Sequence, residues 1–112
     1  MVQLQSELDR TFAALGDPTR RTILEQLSLL GSATVSVLAE PFDITLTGFK
    51  KHLGVLEEVE LVTTEKIGRS RHCRLGPRRL EAAGDWIAAH QRMVEDRLDR
   101  LGSFLENEGK ES

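Results

Sequence analysis

The fold turns on one stretch, Thr34-Val35-Ser36-Val37-Leu38-Ala39-Glu40-Pro41-Phe42-Asp43-Ile44-Thr45-Leu46-Thr47-Gly48-Phe49-Lys50-Lys51-His52-Leu53-Gly54-Val55-Leu56. Thr34 to Glu40 reads as a short helix with Val35, Leu38 and Ala39 turned inward. Pro41 breaks it, because proline has no amide hydrogen and its ring collides with the preceding turn. Phe42, Asp43 and Ile44 make a tight connection. Thr45 then caps a longer helix on which Phe49, Leu53 and Leu56 share one stripe. Short helix, turn, longer helix is a helix-turn-helix arrangement.

On the N-terminal side, Leu4, Leu8, Phe12 and Leu15 recur at helical spacing, so a first amphipathic helix ends near Gly16. Asp17-Pro18 reads as an N-cap followed by proline at the first helical position, where its missing N–H costs nothing. The second helix carries Ile23, Leu24, Leu27 and Leu30 and stops at Gly31-Ser32.

On the C-terminal side the period changes. Leu61 to Ile67 and Arg71 to Leu75 are two β-prone runs around Gly68-Arg69-Ser70, a hairpin with glycine in a three-residue connection. Pro77 ends this hairpin and can open the last helix. There Leu80, Ile87, Val94 and Leu101 fall seven apart, with Leu98 and Leu105 in a second row, a repeat that asks for a partner helix. Trp86 is expected to pack the last helix against the first. The predicted fold is mainly α with a small β-hairpin, in the order α-α-α-α-β-β-α, as one domain over 1–107 with a frayed polar tail over 108–112.

The whole chain has 112 residues and a formal charge of −3, which at first argues against a nucleic-acid partner. The charges are sorted, however. Residues 45–79 carry eight Lys/Arg against four Asp/Glu, while the flanks on either side are acidic. Lys66, Arg69, Arg71, Arg74, Arg78 and Arg79 follow one another with no acid among them. A basic centre between acidic ends suits a protein of which one face meets phosphates. No apolar run approaches the length of a membrane span, and Met1 to Arg10 has no signal-peptide pattern, so a cytoplasmic protein is expected. Cys73 is the only cysteine, which excludes an internal disulfide and a multi-cysteine metal site. The chain lacks a paired nucleophile and base and a glycine-rich phosphate loop, so an enzyme is not expected.

At about 100° per residue, the stripe through Phe49, Leu53 and Leu56 fixes the buried side of the longer helix. Thr47 and Lys51 then point almost opposite, Gly48 lies near them, and Lys50 and His52 sit on the flanks. With Thr45 these are candidate DNA base contacts, since lysine donates to guanine and threonine reaches several base edges. His52 has a second reading, packed beside Glu57 or the hairpin. Leu46 reads as core, with contact to a thymine methyl as the alternative. Lys66, Arg69, Ser70 and Arg71 at the hairpin tip, with Arg20 and Arg21 in the first turn of the second helix, are candidate phosphate contacts. Cys73 reads as a small buried hydrophobe, and a redox role would need a depressed thiol pKa.

The ordered set Ala14-Leu15-Gly16-Asp17-Pro18-Thr19-Arg20-Arg21 with Ile23-Leu24, then Val37-Leu38-Ala39, Lys51-His52-Leu53 with Val55-Leu56-Glu57, Leu61-Val62 and Gly68-Arg69 with Arg71 resembles the ArsR/SmtB family of winged helix-turn-helix repressors. The resemblance covers Leu8 to Leu105. It implies a homodimer paired through the first and last helices, with Leu4, Leu8, Leu80, Ile87, Val94, Leu98, Leu101 and Leu105 at the interface. It also implies repression by occupying double-stranded operator DNA, relieved by an inducer that the sequence does not identify. Metal-sensing members carry a Cys-x-Cys-type motif on the third helix, where this chain has Thr34-Val35-Ser36-Val37-Leu38-Ala39. The last helix offers His90 with Asp85 or Glu95, a poor set for zinc. No metal and no cofactor is therefore expected. The alternative class is a protein-interaction module on the same scaffold that has lost DNA binding, to which Gly48 lends weight because glycine weakens a helix.

Overall fold

The computed structural model describes residues 2–78 and 80–111, and side chains over 6–78 and 80–105. The side chain of Leu4, the whole of Arg79 and the side chains of the polar tail lie outside the described residues. The order is α1 (Val2–Leu15), α2 (Pro18–Leu30), β1 (Ser32–Thr34), α3 (Val35–Ala39), α4 (Leu46–Glu58), β2 (Val62–Ile67), β3 (Ser70–Leu75) and α5 (Glu81–Glu111). The chain divides into two compact units, Met1–Ala82 and Ala83–Ser112.

In the first unit the caps follow from the sequence. Asp17 is the extended N-cap of α2 and its carboxylate accepts from the amides of Thr19 at 2.8 Å and Arg20 at 3.2 Å, with Pro18 in the first turn. Thr34 caps α3 through the Val37 amide and Thr45 caps α4 through the Gly48 amide. The C-terminus of α4 closes in a Schellman motif: the Leu61 amide donates to the Leu56 carbonyl and the Glu60 amide to the Glu57 carbonyl, each at 3.0 Å. Glu60 takes the left-handed position at φ 61° that glycine usually fills. The partner of this corner is Gly76, whose amide donates to the Leu61 carbonyl at 2.8 Å; a Cβ there would collide with the Glu60 carbonyl. The core then gathers Ile23, Leu24 and Leu27 of α2, Leu38 of α3, Phe49, Leu53 and Leu56 of α4, and Leu61, Val62 and Cys73 from the sheet. Full burial of a large apolar side chain contributes about 1.5–3 kcal/mol, so this cluster is what fixes α4 against its neighbours.

Four local expectations change. The sheet has three antiparallel strands in the order β1-β3-β2, because Ser32, Ala33 and Thr34 pair with Arg74, Cys73 and His72. A three-residue strand carries no periodicity of its own; its pairing partner lies some forty residues away, so only the tertiary fold can reveal it. The hairpin loop is two residues, not three, since Ile67 pairs with Ser70. Gly68 at φ 63° followed by Arg69 is the pattern of a II′ turn, which matches the right-handed twist of the strands. The last helix starts at Glu81, past Pro77, which leaves Leu80 in the preceding turn rather than on the helix. Leu30, expected inward, is exposed at the end of α2.

The second unit is α5 from Ala83 onward, nearly all of a 31-residue helix. Ile87, Val94, Leu98, Leu101 and Leu105 fall on one face, 49–61% exposed, and Trp86, Met93 and Phe104 form an adjoining row. The Trp86 indole stacks on the His90 ring at 3.9 Å.

Candidate nucleic-acid interface

α4 presents three surfaces. Its buried stripe is Phe49, Leu53 and Leu56, as the spacing predicts, and Phe42 in the turn lies against Phe49 with ring centroids 5.5 Å apart. Thr47 and Lys51 are exposed on the opposite side. Between these runs a row of Leu46, Lys50, Gly54 and Glu57, which lines a cleft of about 720 Å³ with Thr34, Val35 and Ser36 on one side and Arg69, Ser70 and Arg71 on the other. Leu46 is therefore not core: it is 52% exposed at the mouth of the helix. The hydroxyls of Thr34 and Ser36 and the gap at Gly54 are members of this cleft that the linear reading missed. The β1–β3 pairing brings the first two beside the hairpin.

Thr45 and Gly48 have structural duties. The Thr45 hydroxyl oxygen accepts from the Gly48 amide at 3.1 Å, and a Cβ on Gly48 would come within 3.2 Å of that oxygen. Glycine leaves this cap uncrowded, although a small shift of the Thr45 side chain would admit a Cβ.

The hairpin sorts the basic run into two groups. Arg74 pairs with Glu65 at 3.3 Å and Arg78 with Glu60 at 2.8 Å, so these two are neutralised within the fold. Among the described residues, no carboxylate lies within ion-pair distance of Lys66, Arg69 or Arg71. Lys66 and Arg71 stand directly opposite one another across the strands. Like charges facing each other in a sheet are destabilising unless an anion comes between them. The Arg71 guanidinium is steadied by a hydrogen bond to the Thr64 hydroxyl at 2.8 Å.

Arg20 and Arg21 are placed differently from the rest. The Arg20 Nε donates to the Ala14 carbonyl at 2.7 Å and Nη2 to the Ala13 carbonyl at 3.1 Å, while Arg21 Nη1 donates to the Leu15 carbonyl at 2.6 Å. Both hold the C-terminal end of α1. His52 is half-buried beside them, with its Nδ1 3.2 Å from Arg20 Nη1 and 3.8 Å from Asp17 Oδ1. Its polar partners are therefore Arg20 and Asp17 rather than Glu57 or the hairpin. Burial pushes the Asp17 carboxyl up, but the Arg20 and Thr19 amides, together with the charges of protonated His52 and of Arg20, outweigh this and hold it below the usual carboxylate value.

Cys73 sits at the centre of the sheet, fully buried. Burial, then the nearby Glu57 charge, push its thiol up to about 11 against the opposing effect of Arg71. It is packing, not a reactive sulfur. Among the described residues no three His, Cys, Asp or Glu side chains gather as metal ligands, and no helix is long and apolar enough to cross a membrane.

A helix-turn-helix domain family matches residues 15–65, which spans α2 to β2 and so includes the cleft-forming α3 and α4. The chain is 41% identical to the HTH-type transcriptional regulator YuzN of Bacillus subtilis, over 56% of this chain and 75% of that one. It is 30% identical to the transcriptional repressor SdpR of the same organism, over 71% of this chain and 88% of that one. Among solved structures, an ArsR family transcriptional regulator superposes with a TM-score of 0.75 at 43% identity, over 81% of this chain and 93% of that one. Fold, sequence and the cationic face on the helix-turn-helix agree: the chain belongs to the ArsR family of winged helix-turn-helix proteins and is a DNA-binding transcriptional regulator.

Proposed function

We propose that this regulator is a cytoplasmic homodimeric repressor that reads operator DNA with α4 and clamps the backbone with the hairpin wing. Thr47 and Lys51 face the base edges, with Thr45 and Gly48 shaping the N-terminal end of the helix that enters the major groove. Lys50, Lys66, Arg69, Ser70 and Arg71 meet phosphates on either side of the cleft. The observation that carries this reading is the cleft itself: Lys50 on α4 and Arg69 and Arg71 on the wing border one space, and none has a carboxylate within ion-pair distance among the described residues. Three cations around one space, with Glu57 as the acid on its lining but not paired with any of them, favour a polyanion, whose binding releases its condensed counterions.

The apolar face of α5, together with α1, supplies the subunit interface. Two copies then present two reading helices, which suits half-sites about 34–36 Å apart. The signal that releases the operator is not a metal, since the thiol motif is missing and His90 is engaged in a stack with Trp86. No catalysis is assigned to any residue.

Fluorescence anisotropy against the DNA upstream of the gene and against a scrambled duplex tests the proposal. The expected result is tighter binding to the upstream DNA, with a footprint of two symmetric half-sites. A dimer that binds neither duplex at low salt would replace this reading with that of a protein-interaction module.

A further inference from the structure

Arg20 joins three elements. Two of its nitrogens hold the Ala13 and Ala14 carbonyls in the last turn of α1, its own amide lies under the Asp17 cap of α2, and its Nη1 reaches His52 on α4 at 3.2 Å. A guanidinium is a donor only, so in the neutral imidazole that makes this bond His52 Nδ1 is the acceptor and the ring proton sits on Nε2. Asp17 Oδ1, 3.8 Å from the same nitrogen, closes the cluster from the α2 side. All three residues are half-buried.

We infer that Arg20 and His52 are positioning residues: their hydrogen bond ties the reading helix to the end of α1 and sets its rotation, and neither touches DNA. The inference deepens the function proposed above and rests on it for its consequences in DNA binding. Three guanidinium nitrogens of Arg20 already have acceptors inside the protein, so a phosphate would have to displace them. The apolar stripe of α4 sets which face points into the core, but apolar contacts are non-directional and leave the fine rotation about the axis soft. A directed polar bond at His52, next to Lys51, supplies that direction. Sites of recognition require placement within about 0.5 Å and 10–20°, which takes supporting hydrogen bonds as well as packing. Because the same guanidinium grips α1, a displacement of α1 is passed to the reading helix.

The test compares Arg20→Lys, His52→Ala, His52→Asn and the Arg20→Lys/His52→Ala double variant in the full chain. Operator and scrambled duplexes are titrated by anisotropy over a range of salt. In parallel, amide hydrogen exchange of residues 48–53 is followed in the free protein, with Arg21→Lys as the exchange control. Hydrogen bonds to charged groups are strong enough that Arg20→Lys and His52→Ala should each weaken operator binding about tenfold. Scrambled DNA should stay within about twofold, with an unchanged salt slope. The His52→Asn side chain offers an acceptor oxygen in place of Nδ1, so this variant should remain within about threefold of the wild type. The double variant should be no weaker than the worse single one, since one bond is removed twice. Exchange should quicken in Arg20→Lys and His52→Ala but not in Arg21→Lys.

Additive losses in the double variant would overturn the inference. So would an equal loss on both duplexes with a salt slope lower by about 0.9, the mark of a direct phosphate contact. If the wild type does not discriminate between the duplexes, the proposed function falls, and exchange alone decides the joint: quickened exchange in the two variants supports it, and unchanged exchange overturns it.

Discussion

Cys73 and Asp17 show how the same kind of residue-level reading leads to opposite chemistry. Burial raises both groups, yet it prevails at the thiol while at the carboxylate backbone amides and neighbouring positive charges outweigh it. With its pKa raised to about 11, Cys73 is about one part in a thousand thiolate at pH 8. Alkylation of the native protein at pH 8 should therefore be far slower than in denaturant. Comparable rates in the two states would mean that the sheet opens around it. For Asp17 the sign runs the other way. Its folded value lies below that of the unfolded chain, so the charge stabilises above about pH 4, the unfolded carboxylate value, and the gain is lost as pH falls through the folded value. Asp17→Asn preserves a good N-cap and isolates this charge effect. Its stability deficit in urea unfolding should be present at pH 7 and shrink below pH 4; a deficit that is constant with pH would contradict the assignment. Asp17→Ala should cost about 1 kcal/mol more at any pH through loss of the cap.

The wing and the reading helix divide the work between elements, and that division is measurable. Arg69 and Arg71 lie at a II′ turn whose strands are braced by β1, so their charges are held out from the core rather than folded onto it. Arg69→Ala or Arg71→Ala should weaken operator and scrambled DNA alike and lower the salt slope by about 0.9 for each lost phosphate contact. Lys51→Ala should instead cost about 1–3 kcal/mol on the operator and little on scrambled DNA. Titrations over a range of salt separate the two, and a Lys51→Ala variant with unchanged discrimination would remove α4 from base reading. Arg74 and Arg78 serve as internal comparisons. Each is paired with a glutamate, so their replacement should leave the salt slope nearly unchanged.

For the whole molecule, the exposed face of α5 has to find a partner. Ile87, Val94, Leu98, Leu101 and Leu105 are all about half exposed on one side of a single helix, an arrangement that water does not favour. The protein should sediment at about twice the 12.5 kDa of one chain. Leu98→Asp with Leu101→Asp should shift it to the monomer and weaken operator binding far more than binding to a single half-site, since the two reading helices are no longer linked. A wild-type monomer, or a variant that remains dimeric, would place the subunit contact elsewhere.

The helices, their caps and the buried stripe of α4 were legible in the sequence. They depend on interactions within a few residues: Asp17 to Thr19 and Arg20, Thr45 to Gly48, and apolar side chains one turn apart. The sorting of charge into a basic middle was legible for the same reason, since it is a property of order along the chain. What only the tertiary structure decided are pairings across long separations. β1 becomes a strand because β3 offers it hydrogen bonds, and that places Thr34 and Ser36 in the cleft. Arg20 and His52 stand 32 residues apart and meet only when α2 packs on α4. A sequence shows which cations exist; which of them already have partners is settled by folding, because an ion pair or hydrogen bond requires two groups within a few ångströms in space.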